Sequence, residues 1–523
     1  MMAFTTNSPA WRRPSKATFA ALLAGLSGIS ASPAALAASP VPYSWTGFYV
    51  GLNAGFGGGE LDPRYDLTNT EISVDYTDRQ AHRLGGFFAG GQAGYNRQFG
   101  NALVGIETDL QWSGIAAQYH KRTLLQGNFN TSFASTGLQL ANMDVTQDWF
   151  GTTRLRLGHV FAGQWLAYVT GGVAYAQFNA GNSGYRMSLS TPGVDGQVSG
   201  SAASTKIGWA AGAGLEYAVN SRFSVKTEYL YTQYSGLTSG YLAAYSSPIF
   251  GSFATGTIGL HLVRAGVNAR LGEPDQPAAQ LAPSWQANWN GFYAGINGGF
   301  GGGVFRPSRS EAETDIAFPA TVFLSNFLIN EHMRAGGFLA GAQVGYNRDI
   351  SDRLVAGFET DLQWSDIAAY RHNDRSSVNA LVYEHPHIDI RQDWFGTTRL
   401  RLGYRASDRL LAYATAGAAY ARFSAGTADV WNDTETFGTT SGTRAATRLG
   451  WTAGAGVEYA LSERIGFKTE YLYSEFAGFS FPYSTTGGTI VGTFTRQSAF
   501  DTGKLGIHTV RAGLNWKLGD PAH

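Results

Sequence analysis

The sequence predicts an all-β protein: a transmembrane antiparallel β-barrel built as two tandem eight-stranded units. Three observations carry that reading. The first is repetition. Gln147–Gly158 and Gln392–Gly403 both read QDWFGTTRLRLG, VGIETDLQWS (Val104–Ser113) returns as AGFETDLQWS (Ala356–Ser365), and VKTEYLY (Val225–Tyr231) returns as FKTEYLY (Phe467–Tyr473). The copies lie about 245 residues apart, too far for a solenoid repeat and suited to a duplicated domain. The second is period-two alternation. In Val104–Ser113 one parity is Val104, Ile106, Thr108, Leu110 and Trp112, and the other is Gly105, Glu107, Asp109, Gln111 and Ser113. That is a strand with one apolar and one polar face. The third is the spacing of connections, which alternate between tight turns and long segments rich in Ser, Thr, Gly and Asn, as outer-membrane barrels do.

Composition bounds the class. The chain has 523 residues, with 38 Lys+Arg against 38 Asp+Glu, so no basic excess draws nucleic acid. Only 15% of residues are charged, while glycine reaches 68 and aromatics 14%. Mean hydropathy is −0.15, with no apolar run long enough for a membrane helix after the N-terminus. The chain has no cysteine, which removes thiol chemistry and disulfides and fits passage through an oxidising compartment. At the N-terminus, Arg12, Arg13 and Lys16 precede the apolar Phe19–Ile29 and the small-residue site Ala35-Leu36-Ala37. Residues 1–37 are therefore expected to be an export signal, cleaved near Ala37.

The first unit (38–272) should place strands near 47–55, 85–99, 102–119, 147–160, 165–179, 206–219, 222–234 and 261–271. The second (289–523) should place them near 291–299, 335–350, 353–370, 392–405, 408–423, 448–461, 464–476 and 507–518. Between them, 273–288 carries Pro274, Pro277 and Pro283 and reads as a spacer. The intervening stretches of some 25 residues are expected to be long extracellular loops. Trp45, Phe48, Tyr49, Trp112, Trp149, Phe150, Trp165, Tyr229 and Tyr231 stand near strand ends, where interfacial girdles form. The near-identity of the copies leaves an alternative open: one fused sixteen-stranded barrel, with strand 8 pairing with strand 9 and strand 1 with strand 16. Such a barrel would enclose a water channel for small hydrophilic solutes.

The polar faces carry a charge set that recurs in kind. Unit one has Glu107, Asp109, Glu216 and Glu228 with Arg154, Arg156, Lys226 and Arg264. Unit two has Glu359, Asp361, Glu458 and Glu470 with Arg399, Arg401, Lys468 and Arg511. An eight-stranded barrel is just wide enough for side chains to fill, and buried charges survive there when paired. These residues are therefore expected to form an interior charge network. Six histidines, His82, His120 and His261 with His332, His372 and His508, fall where the outer rim should be. Imidazoles there could take a metal or haem, but their spacing is not diagnostic. No Ser/His/Asp set recurs, and no catalytic site or cofactor is expected.

The starts WTGFYVGLNAGFGGG (Trp45–Gly59) and WNGFYAGINGGFGGG (Trp289–Gly303), with GGQAGYN (Gly90–Asn96), ETDLQWS and DWFGTTRLRLG, resemble the outer-membrane immunogenic, porin-family surface antigens of alphaproteobacteria. The resemblance covers nearly all of both units. It implies an OmpA-like eight-stranded barrel with a structural, antigenic or loosely porin role. It also implies a place in the outer membrane among its lipids, delivered by the barrel-assembly machinery. Two departures stand out: such proteins hold one unit rather than two, and they end on an aromatic, where HTVRAGLNWKLG is followed here by Asp520–His523.

Overall fold

A computed structural model describes residues 43–69, 74–129, 133–161, 164–188, 193–244, 249–272, 286–317, 321–377, 383–384, 386–432, 436–489 and 492–519. The expected export signal and most of the spacer lie outside them. Unit one contributes β1 (Gly47–Leu61), β2 (Arg64–Asn69), β3 (Val74–Phe99), β4 (Ala102–Phe129), β5 (Phe133–Phe161) and β6 (Trp165–Ser188). It continues with β7 (Gly193–Ala218), β8 (Phe223–Tyr234), β9 (Thr238–Ala244), β10 (Ile249–Ala254) and β11 (Ile258–Arg270). Unit two contributes β12 (Gly291–Phe305), β13 (Ser308–Ala317), β14 (Thr321–Asp349), β15 (Leu354–Ser365), β16 (Ala368–Ser377), β17 (Tyr383–Glu384) and β18 (His387–Ser407). Its last members are β19 (Leu410–Asn432), β20 (Thr436–Ala460), β21 (Ile465–Phe476), β22 (Ser480–Thr489), β23 (Gly492–Asp501) and β24 (Leu505–Lys517).

The ladders close twice. β1 pairs with β3 on one side and β11 on the other, and β3-β4-β5-β6-β7-β8-β11 complete an eight-stranded antiparallel ring. β12 pairs with β14 and β24, and β14-β15-β18-β19-β20-β21-β24 complete a second. The pairing of strand 8 with strand 9, required by the fused alternative, does not form: β11 closes on β1. Each ring follows from its alternation. Leu52, Ile106, Leu155, Val169, Ile207 and Val267 stand exposed on the outside of the first, which is an apolar belt for lipid.

The same ladders then do something the sequence did not announce. Beyond the belt, β3 leaves β4 above the Gly85–Ala116 pair, and β14 leaves β16 above the Gly336–Ala368 pair. They exchange partners. β3 pairs with β16 (Arg371 opposite His82), and β4 pairs with β14 (Tyr119 opposite Met333). The outer halves of β3–β7, β14 and β18–β20, with β2, β9, β10, β13, β16, β22 and β23, now form one ring of sixteen strands. Two barrels therefore merge into a common crown.

This corrects the expectation of long extracellular loops. The Ser/Thr/Gly/Asn-rich stretches continue as strands because each finds a neighbour's backbone to hydrogen-bond, and Ser183, Ser199 and Thr443 face solvent from them. One cluster of buried apolar side chains runs through both units from the rings into the crown, including Leu84, Phe150, Phe178, Phe253, Ile390 and Phe500.

The two units meet on a pseudo-two-fold axis. Residues in equivalent repeat positions touch each other: Phe56 stacks on Phe300 with centroids 5.9 Å apart, and Tyr217 lies 4.8 Å from Tyr459. The flanking contacts are reciprocal, as an isologous interface requires. Phe87 packs edge-on against His508 (5.2 Å), and Phe338 against His261 (5.2 Å).

Candidate functional site: two charged interiors beneath a joined crown

Inside each ring, side chains stack in three layers. At the base of unit one Tyr43, Trp45, Leu103, Val160, Leu166 and Ala218 form a buried apolar cluster, and Trp289, Val355, Leu411 and Ala460 form its counterpart in unit two. Above lies the charged layer, and above that the apolar one, with Phe88 against Phe150 at 5.3 Å.

All sixteen charged residues singled out from the sequence face the interior and are buried. The structure brings them together unit by unit. Glu107 accepts from Arg154 (2.7 Å), from Lys226 through both oxygens (2.8 Å) and from the Tyr49 hydroxyl (2.8 Å). Asp109 accepts from Arg154 (3.0 Å), Arg264 (2.9 Å) and the Thr152 hydroxyl (2.8 Å). Glu228 accepts from Arg154 (2.8 Å) and the Arg264 Nε (2.7 Å). Glu216 accepts from Arg156 (2.6 Å), Ser224 (2.5 Å) and Asn268 (2.6 Å). Unit two repeats this. Lys468 reaches Glu359 at 2.7 Å, Arg399 reaches Glu470 at 2.8 Å, Arg511 reaches Asp361 at 2.7 Å, and Arg401 bonds Glu458. Such buried charges are tolerated because every carboxylate has several donors.

The sequence reading missed several members of this layer. Arg156 lies over the Tyr168 ring at 3.9 Å and donates to the Tyr49 hydroxyl at 2.6 Å. Arg401 repeats the arrangement with Tyr413 and Tyr293. Asn53, Gln92 and Asn268 form a chain that ends on Glu216. Parity on β1 would have found them: Phe48 is 63% exposed, so its neighbour Tyr49 must point in. The same parity corrects the aromatic girdle. Trp45, Tyr49 and Phe150 are interior side chains, whereas Phe48 and Trp112 face the lipid. Room for the tyrosines comes from the facing strand: a Cβ on Gly94 would lie 2.4 Å from the Tyr49 hydroxyl.

The six histidines do not converge. His120 bonds Asp144 at 2.9 Å, and His372 bonds Asp389 at 2.7 Å, on the outer walls of the crown. His261 and His508 bond Tyr229 and Tyr471 at 2.7 and 2.8 Å. His82 and His332 are not equivalent, because Gly85 matches Gly336 and this sets His82 opposite Met333 in the repeat. His82 is buried against the Tyr119 ring at 5.6 Å, while His332 is exposed and lies 6.0 Å from His120. Among the described residues no group of three His, Asp or Glu side chains is placed to hold a metal ion.

Where the crown begins, polar contacts cross between units. Glu331 of unit two is buried and accepts from the Tyr119 hydroxyl of unit one at 3.0 Å and from Arg309 at 3.2 Å. Arg371 of unit two lies over the Tyr119 ring at 4.5 Å. Burial works against the Glu331 charge, but Arg309 and Arg371 outweigh it and hold the carboxyl below its ordinary range. Burial, then Arg371 and His372, push His82 down to about 3.

The family model for the outer membrane protein beta-barrel domain matches the chain twice, over residues 21–264 and 276–517. The chain belongs to that family. A 31 kDa outer-membrane immunogenic protein of Brucella melitensis is 32% identical over 248 residues, spanning 47% of this chain and 90% of that protein. A 25 kDa outer-membrane immunogenic protein of Brucella canis is 29% identical over 203 residues, spanning 39% of this chain and 71% of that protein. Each relative thus has the length of one unit. Among solved structures, OprG from Pseudomonas aeruginosa aligns with 45% of this chain and all of its own, at 12% identity and a TM-score of 0.23. A Pseudomonas aeruginosa FadL homologue aligns over 90% of this chain and 91% of its own, at 10% identity and a TM-score of 0.23. The protein is an outer-membrane β-barrel protein with a duplicated barrel domain.

Proposed function

We propose that this protein is a non-conducting surface protein of the outer membrane, with a structural and antigenic role. Its two plugged barrels anchor one joined extracellular crown. The observation that carries this reading is the charged layer: Arg154, Arg156, Lys226 and Arg264 each bond carboxylates from other strands across the ring, leaving the interior filled. Below that layer Trp45 and Trp289 are buried in apolar clusters at the base of each ring, which supports the same reading. The ring of sixteen strands, which could have formed a water channel, lies beyond the apolar belt. The belt would take outer-membrane lipid, and the barrel-assembly machinery would insert the chain.

Single-channel conductance of the refolded protein in a planar bilayer tests this. Silence, or small flickering events, is the expected record. Large ohmic steps of roughly nanosiemens size, such as a barrel of sixteen strands gives, would establish a diffusion porin for small hydrophilic solutes instead.

A further inference from the structure

The pseudo-two-fold axis gives the seam between the barrels two equivalent outer faces. One is made by β4 of unit one and β14 of unit two, where His120 opposes His332 and Arg122 opposes Asn330. The other is made by β16 of unit two and β3 of unit one, where His372 opposes Ala81 and Asp374 opposes Arg79. The register is conserved between the faces, so their residues compare one for one.

The charges are not conserved. On the second face, Glu60 lies opposite Arg83, and Asp366 also reaches Arg83 at 3.7 Å. On the first face the equivalent arginine is Arg334, opposite Val304 where the other face has Glu60. Its repeat has Gly114 in place of Asp366, Arg306 in place of Asp62, and Arg122 in place of Asp374. The reverse substitution sets Arg79 in place of Asn330, opposite Asp374 in the register. Four substitutions therefore move in one direction, and the first face is left basic. Arg334 donates to the neutral Gln118 at 2.9 Å. Arg306 and His332 are exposed, and the proximity of Arg306 and His120, after burial, holds the His332 imidazole down. Asp144, bonded to His120, is the acid that faces this group.

The height of the face matters as much as its sign. Gly302 pairs with His508, and Val304, two residues further out, pairs with Arg334. Tyr473 pairs with His508, and the exposed Trp451 pairs with Glu475, two residues further out. Arg334, also two residues outward of the His508 level, thus stands level with Trp451, where an interfacial aromatic meets the headgroups, with the aromatic rings of Phe87, Tyr471 and His508 inward of it. A basic face above an apolar one matches an amphiphile with an anionic head.

We propose that this face binds the phosphate headgroup of an outer-leaflet phosphorylated glycolipid. Arg334, Arg306 and Arg122 hold the phosphate, and the acyl chains lie on the belt below. The equivalent face, neutralised by Glu60 and Asp366, does not bind it. On this account duplication left one of two equivalent seams specialised.

The test measures binding of diphosphoryl lipid A to the full chain in detergent, by native mass spectrometry and by fluorescence titration. Each cation near an anionic lipid surface contributes roughly a fivefold gain, so a triple Arg122→Gln, Arg306→Gln, Arg334→Gln variant should lose about a hundredfold in affinity. Val304→Glu with Arg306→Asp, which gives this face the acids of its twin, should weaken binding similarly. Arg83→Gln on the second face should leave binding unchanged, and heat-modifiable migration should show all variants folded. Equal binding by the triple variant would overturn the site. So would an equal loss in Arg83→Gln, since that marks general charge attraction. Displacement by about millimolar inorganic phosphate would also overturn it, showing a free-anion site rather than a lipid site.

Discussion

Gly85 and Gly336 lie where the strands of the two barrels cross. A Cβ on Gly85 would sit 2.6 Å from the Ala335 carbonyl oxygen, and one on Gly336 would sit 2.7 Å from the Leu84 carbonyl oxygen. Neither obstacle is a flexible side chain, so only glycine permits this approach. Gly85→Val should therefore overpack the crossing and cost about 1–3 kcal/mol. Gly181→Val, at a position where a Cβ meets nothing, is the control. Denaturant unfolding in detergent measures both, and equal midpoints would remove the crossing as a packed element.

The charged layer makes a larger prediction. The Arg156 side chain is wholly buried and bonds Glu216 and Tyr49. Arg156→Ala leaves Glu216 without its cation, and breaking such a pair costs about 3–5 kcal/mol. Arg401→Ala should cost a similar amount in unit two. A negligible change in unfolding free energy for either would mean a hydrated lumen.

The bond between Tyr119 and Glu331 couples the units at the base of the crown. A double-mutant cycle with Tyr119→Phe and Glu331→Gln should show a coupling energy of about 0.5–3 kcal/mol. Additive effects would mean that the crown joins the barrels by backbone pairing alone.

His82 sets a pH dependence. Its folded value of about 3 lies below its ordinary 6.5, so between these the unfolded chain binds the extra proton. Its neutral burial therefore costs nothing above pH 6.5, and stability falls progressively as pH drops from 6.5 towards 3. Stability measured across that range should fall less steeply in His82→Gln. A slope unchanged by the substitution would place the acid sensitivity elsewhere.

Alternation was enough to read the strands and their inward faces, though not whether they close as two rings of eight or one of sixteen. Glu107 and Asp109 share parity with Gly105 and Gln111, and a ring of eight leaves that face nowhere to go but inward. Tyr49 and Phe150 were misread because position near a strand end was weighed above parity. The crown was not legible, since period-two polar segments look alike whether they pair or hang free as loops. What decides the matter is a neighbour 212 residues away, as for Tyr119 and Glu331. The non-equivalence of His82 and His332 was visible in the alignment of Gly85 with Gly336, and a one-residue slip sends side chains to opposite faces.

Each unit closes on itself within the membrane. Leu52 of β1 pairs with Val267 of β11, and both face the lipid. Because the chain has no cysteine, nitroxide labels on Leu52→Cys and Val267→Cys report on this pair alone. Facing residues on adjacent strands have Cβ atoms about 5 Å apart, so the electron paramagnetic resonance spectrum should be strongly broadened by spin coupling. A doubly labelled spectrum equal to the sum of the single-label spectra would place β1 and β11 apart, and the fused barrel of sixteen strands would replace the two closed rings.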